Sequence, residues 1–219
     1  MTPRSELARA VHHTADLVVG RSHADEDLDE ARHLIEAANA LLRKGEEFSI
    51  EHRGLVFASE MVESLGAQVP AEGVYFDAFA QSAFSGVDNP LRPAELTYQR
   101  VGDELHAEMV AGIAYEGATD RVHGGLTAAV FDDAMGALQR IVGHYGYTKT
   151  LNVSYLGRLP IDETVTFIAR LSDADERTFT MIADAIYADE KVATASAVFT
   201  EVDFERLPEF LVEGNPSAS

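Results

Sequence analysis

Apolar residues recur at spacings of three and four along residues 5–45, where Leu28, Ala31, Ile35, Ala38, Leu41 and Leu42 are separated by charged positions. That period predicts helix, with Gly45 as its stop. Residues 46–95 hold no clear period; aromatics gather in VYFDAFAQSAF and give way to SGVDNPLRP, whose Gly, Asn and two Pro mark a boundary. Beyond Pro93 the pattern changes to short strands around one helix. Segments 96–101 and 105–115 flank Gly102 and Asp103, which suit a hairpin turn. The run GGLTAAVFDDAMGALQRIVGHYG predicts a helix from about 124 to 142, ended by Gly143 or Gly146.

The last third alternates with period two. The apolar members are Leu151, Val153 and Tyr155 in TLNVSYL, then Val165, Phe167, Ala169 and Leu171 in TVTFIARL. In TFTMIADAIY they are Phe179, Met181, Ala183, Ala185 and Tyr187. The short acidic loops SDADE and ADEK make an antiparallel meander ending in VATASAVFTEV the economical connection. One long helix followed by long antiparallel strands is an α+β architecture, in which the sheet buries one face against that helix. At 100° per residue, Leu126, Val130, Ala134, Leu138, Ile141 and Val142 form one apolar arc. On the opposite side lie Gly125, Ala129, Asp132, Gly136 and Gly143, a stripe of small residues around one carboxylate. Such a stripe leaves room for a close neighbour, either a ligand or another subunit.

These changes of pattern divide the chain into a largely helical extension (1–84), an α+β domain (85–205) and a tail (206–219). With 46% hydrophobic and 25% charged residues the composition is that of a globular protein. The 17 Lys and Arg against 37 Asp and Glu give a formal charge of -20, which repels nucleic acid and anionic lipid. An anionic ligand then needs a local cation, and Arg100, Arg121, Lys149 and Arg158 are the candidates. The absence of cysteine removes thiolate nucleophiles, thiolate metal sites and disulfides. The histidines show no metal-ligand spacing, so no metal site is expected. The N-terminus lacks the pattern of a secretory signal, and no stretch approaches the roughly 20 apolar residues of a membrane span. The expectation is a cytoplasmic protein without a membrane partner.

The chemistry gathers at the start of the long helix. His123-Gly124-Gly125 would offer unpaired N–H groups and the positive end of the helix dipole to a developing oxyanion. Asp132 lies eight residues beyond Gly124, about 12 Å along the axis at 1.5 Å per residue. One carbonyl cannot touch both, so a shared reaction needs the two groups from different subunits across a two-fold axis. Asp133, the neighbouring carboxylate, is expected at the surface near Arg140.

Residues from about 85 to 202 resemble the hotdog-fold acyl-CoA thioesterases of the PaaI-like branch. The resemblance rests on GVDNPL, YEG, VHGGLTAAVFDDAMG, TKTLNVSYLGRLP and VATASAVFTEV. It implies a long helix wrapped by a curved antiparallel sheet, a homodimer or a homotetramer of two dimers, and an acyl-CoA substrate. No cofactor is implied, coenzyme A being part of the substrate. By the same resemblance Gly124 N–H polarises the thioester carbonyl, His123 shapes that turn, Asp132 is nucleophile or general base, and Thr148 positions water or the carboxylate. Arg158 and Lys149 are the candidates for the coenzyme A phosphates. Two positions depart from the pattern. Gly117 stands where relatives carry Asn six residues before the His, and Gly157 where they often carry a basic residue, with Arg158 one step later. Two rival readings keep the fold: a module that binds acyl-CoA without hydrolysing it, and a dehydratase acting through a catalytic His.

Overall fold

The computed structural model describes residues 2–47, 69–76, 82, 84, 86–93 and 95–202. The tail 206–219 and residues 48–68 of the extension lie outside them. Seven strands form one antiparallel sheet: β1 (Tyr75–Phe76), β2 (Glu95–Val101), β3 (Glu104–Val110), β4 (Gly146–Tyr155), β5 (Thr164–Ala174), β6 (Thr178–Tyr187) and β7 (Glu190–Glu201). Their spatial order is β1-β2-β3-β5-β6-β7-β4. The long helix α3 (Gly124–Val142) packs on one face of this curved, open sheet, which is the hotdog arrangement.

Alternation sets which strand face is buried. In β6, Phe179, Met181, Ala183 and Ala185 point into the core while Thr180 and Ile182 are partly exposed. Alanines 193, 195 and 197 of β7 are buried as well, and their small side chains let the helix approach the sheet closely. From the helix, Leu126, Val130, Ala134, Leu138 and Ile141 of the predicted arc are buried, joined by Phe131 and Met135. Phe131 meets Phe167 of β5 edge to face, ring centroids 4.9 Å apart.

The meander covers β5, β6 and β7, but β4 lies outside it, paired with the far side of β7. The reason is the helix. It crosses the sheet after β3, so the chain returns at the opposite edge. The end of the helix fixes where β4 begins. Gly143, at φ +75°, donates its N–H to the Gln139 carbonyl in a left-handed cap. The Gln139 amide then closes two hydrogen bonds with the backbone of Gly146, at 2.9 and 3.1 Å. This clamp sets the register of β4 against the helix.

The hairpin forms at Gly102, whose φ of +61° suits the turn. Strand β3 stops at Val110 rather than continuing to 115, because residues Ile113–Tyr115 coil into one turn of 3-10 helix. The helical period of residues 5–45 becomes two helices, α1 (Pro3–Gly20) and α2 (Asp25–Leu42). The break falls at Arg21 and Ser22, and α1 is capped at its start by Thr2 in a reciprocal bond with Ser5. Helix α1 docks on the 3-10 turn. None of the residues of α2 is buried, so Leu34 and Ile35 stay exposed. Its spacing predicts the helix, since 3.6-residue periodicity is local, but names no packing partner.

On the outer sheet face Asp184 is buried and accepts from Thr194 at 2.8 Å, Arg170 at 2.8 Å and Lys191 at 2.9 Å. Burial alone raises its pKa, but the bonds from Lys191, Thr194 and Arg170 outweigh it and hold the carboxyl below its ordinary value. A folded-state pKa below the unfolded one stabilises the protein above the unfolded value, and this contribution is lost as pH falls through the folded value. Asp184→Asn is therefore expected to cost about 1–3 kcal/mol near neutral pH. The difference from wild type narrows in strong acid; urea titrations at both pH values check it, and an unchanged difference would contradict this account.

Candidate functional site

The loop before α3 is built tightly around His123. The N–H of His123 donates to the Tyr115 carbonyl at 2.8 Å, and the N–H of Val122 to the Leu159 carbonyl at 2.9 Å. His123 is the N-cap of the helix: its Nδ1 accepts the N–H of Gly125 at 2.9 Å. An accepting Nδ1 places the proton of the neutral ring on Nε2. Gly125 N–H is thereby used, and Gly124 N–H has no acceptor among the described residues. It opens to a cavity of about 730 Å³ lined by Gly117, Arg121, His123, Gly124, Tyr155 and neighbours.

Tyr155, at the end of β4, donates its hydroxyl to the Gly124 carbonyl at 2.7 Å. A side chain at 124 would meet that hydroxyl at 3.2 Å, which is one reason for glycine here. Tyr155 was legible as a strand residue, but nothing in its spacing points to the helix start; only the register set by the Gln139 clamp brings it there.

The departure at Gly117 has a steric cause. A Cβ at that position would stand 2.9 Å from the Cα of His123 and 3.3 Å from its Cβ. The loop passes so close to the capping histidine that an Asn cannot be accommodated without moving it. Gly117→Asn is expected to destabilise the fold by about 1–3 kcal/mol and to disturb the cap. A thermal melt reads the first effect; an unchanged melting temperature would mean that the loop yields freely.

Asp132 and Thr148 come together: the Thr148 hydroxyl donates to Asp132 Oδ1 at 2.7 Å. Asp132 is half-buried in the stripe of small residues, with Ala129 and Gly136 one turn away on either side. The bond turns the carboxylate to a fixed orientation, and among the described residues its other oxygen has no hydrogen-bond partner. In one chain Gly124 and Asp132 remain eight residues apart on the same straight element, about 12 Å.

Asp133 does not take the expected surface position. It accepts the Tyr98 hydroxyl at 2.7 Å and the Ser82 hydroxyl at 2.8 Å, half-buried between α3 and β2. The physical reason is rotation: one residue further round the helix faces the β2 edge and the extension instead of solvent.

Of the two expected phosphate contacts, Arg158 is already engaged. Its guanidinium lies 2.6 Å from Asp120 and 3.7 Å from Glu163. Lys149 falls at the β-bulge between Thr148 and Thr150 and is exposed on the outermost strand. Arg100 is bonded to the carbonyls of Gly102 and Pro70. Arg121 lines the cavity and is exposed.

The extension reaches the site through α1. Asp16 accepts the N–H of Ala114 at 3.0 Å, and buried His12 stacks on Tyr115, ring centroids 5.6 Å apart. Burial first, and the Asp16 carboxylate second, push the Tyr115 phenol up to about 12. It therefore stays protonated and donates to the Leu91 carbonyl. The carbonyl of the same Tyr115 holds His123, so α1 buttresses the cap from behind.

Among the described residues no group of three His, Asp or Glu side chains is placed to hold a metal ion. Nor is any described helix long and apolar enough to cross a membrane.

A seven-stranded antiparallel sheet wrapped on one helix, with the helix start opening to a cavity, defines the hotdog class. Residues 120–194 match the family model described as Thioesterase superfamily, and the chain has the hotdog fold. A solved thioesterase superfamily protein superposes with a TM-score of 0.72, covering 91% of each chain at 18% identity. That coverage takes in the extension as well as the sheet. Also similar are a hypothetical thioesterase from Streptococcus pneumoniae TIGR4 solved with coenzyme A (TM-score 0.48, 16% identity, 50% of this chain and 88% of that one). Zebra fish thioesterase superfamily member 2 gives a TM-score of 0.46 at 15% identity, over 49% of this chain and 81% of that one. No curated protein matches the sequence.

Proposed function

We propose that this protein hydrolyses acyl-CoA thioesters to a carboxylic acid and free coenzyme A. The observation that carries this reading is the Asp132 carboxylate, oriented by Thr148 at 2.7 Å on the half-exposed side of the central helix. The match of residues 120–194 to the Thioesterase superfamily model supports a thioester hydrolase, and the open N–H of Gly124 supports polarisation of a carbonyl.

In the proposed reaction Asp132 removes a proton from water as the oxygen attacks the thioester carbonyl. Gly124 N–H receives the oxyanion of the tetrahedral intermediate. Collapse breaks the C–S bond, and the thiolate leaves with its electron pair and takes up the proton that Asp132 removed from water, which returns Asp132 to its carboxylate form. A thioester is already activated and its thiolate leaves readily, so one general base suffices. His123 holds the helix start by accepting the Gly125 N–H at Nδ1, and Tyr155 fixes the Gly124 peptide from its carbonyl side.

The 12 Å between Gly124 and Asp132 calls for two protomers. Strand β4 supports this: it pairs with β7 on one side, and its other edge has no strand beside it among the described residues. Pairing of two such edges about a two-fold axis would join the sheets of a dimer and bring each Asp132 toward the other subunit's helix start. The proposed reaction is cytoplasmic and needs no cofactor, coenzyme A being part of the substrate.

Thiol release from a panel of short, long and aromatic acyl-CoAs tests this reading. Turnover of at least one ester is expected. Binding of these esters by calorimetry with no thiol release would assign the site to a non-catalytic acyl-CoA module instead.

A further inference from the structure

We infer that Arg121 is the residue that receives the phosphates of the thioester's phosphopantetheine carrier, since Arg158 is engaged by Asp120. The inference rests on the proposed function and names the binding residue of the same site.

The need for such a residue follows from charge. A chain with a formal charge of -20 repels a polyanionic ester unless a cation stands at the point of entry. Of the described residues that line the cavity at the helix start, Arg121 is the cation. The carrier arm sets its phosphates many bonds from the thioester. With the carbonyl at Gly124, they belong at the mouth of the cavity, where the exposed Arg121 stands. Arg121 lies three positions before Gly124, so their Cα atoms are within about 10 Å of each other.

Local structure prepares this arginine. Its N–H donates to the Ala118 carbonyl and its carbonyl accepts the N–H of Gly117, both at 2.9 Å, so the backbone is held in a closed turn while the side chain is left to solvent. Two acidic residues lie close to it in sequence, Asp120 and Glu116, and each is directed to another group. Asp120 is paired with Arg158 at 2.6 Å, and Glu116 accepts the backbone N–H of Asp120. Among the described residues Arg121 has no ion-pair partner. Arg158 thus acts as a positioning residue: by holding Asp120 it keeps that carboxylate from pairing with Arg121. A guanidinium suits this task because its fork of N–H donors matches phosphate oxygens.

The test compares wild type with Arg121→Ala on one acyl group carried by coenzyme A, by 4′-phosphopantetheine and by pantetheine, which has no phosphate. The expected result is a KM for the acyl-CoA raised roughly five- to tenfold, an unchanged kcat, and an unchanged KM for the acyl-pantetheine. Arg121→Lys is expected to recover part of the loss. A shift already present with acyl-phosphopantetheine assigns the contact to the phosphate shared with carrier proteins; a shift with acyl-CoA alone assigns it to the nucleotide phosphates, and either supports the inference. An unchanged KM for both phosphorylated esters overturns it. So does an equal shift for acyl-pantetheine, which would mean that the residue shapes the turn. Calorimetric binding of coenzyme A itself separates this inference from the proposed reaction. Binding that weakens in Arg121→Ala without turnover in wild type would sink the reaction alone, whereas equal binding by both proteins would sink the role of Arg121.

Discussion

Asp132→Asn is expected to lower kcat for thioester hydrolysis by about 10²–10⁴, the usual contribution of a positioned general base. The substitution is nearly isosteric, and the Asn side-chain oxygen still accepts from Thr148, so the bond seen at 2.7 Å survives in kind. Asp132 is half-buried among small neighbours and supports no part of the core, so the melting temperature should barely move. What disappears is the ability to hold a proton taken from water. Thiol release and a thermal melt on the same preparations make the comparison. Full turnover in the variant would remove Asp132 from the mechanism, and a lost fold would show that the carboxylate is structural.

Phe131→Ala should produce the largest loss of stability, about 3–5 kcal/mol, because it removes a fully buried ring and leaves a cavity that rigid strands cannot close. Phe131 has no solvent exposure and meets Phe167 edge to face. It is also the residue next to Asp132, so the same ring that seats α3 on β5 sets the height of the carboxylate above the sheet. Urea unfolding followed by circular dichroism reads the loss; a change below about 1 kcal/mol would mean that the core refills the space.

The residues whose structure is set locally were legible from the chain. The helix at 124–142 and the alternation in β5, β6 and β7 follow from periods that every few residues restate. The helix end was legible as one of two glycines, 143 or 146, and the left-handed cap falls on the first. The pairing of β4 with β7 was not written in any period. It depends on the helix crossing the sheet and on the Gln139 clamp, both tertiary. The same holds within the site. His123 and Gly124 were legible because a helix start is a local event. The Tyr155 bond and the steric reason for Gly117 were not, since each joins segments that meet only in the fold. Asp133 misled because an unbroken run of helix does not reveal which of two adjacent carboxylates faces a neighbouring strand.

The bond from Ala114 to Asp16 spans 98 residues. On a ribosome adding about 5–20 residues per second, helix α1 emerges about 5–20 seconds before the amide it must receive. During that wait its docking side, with Ala8 and His12, has nothing to cover it. The cap at His123, supported from behind by this helix, is finished only when α1 finds a segment made much later. A chaperone that shelters the nascent helix α1 would therefore raise the yield of competent sites, even though it touches none of the residues that line the cavity.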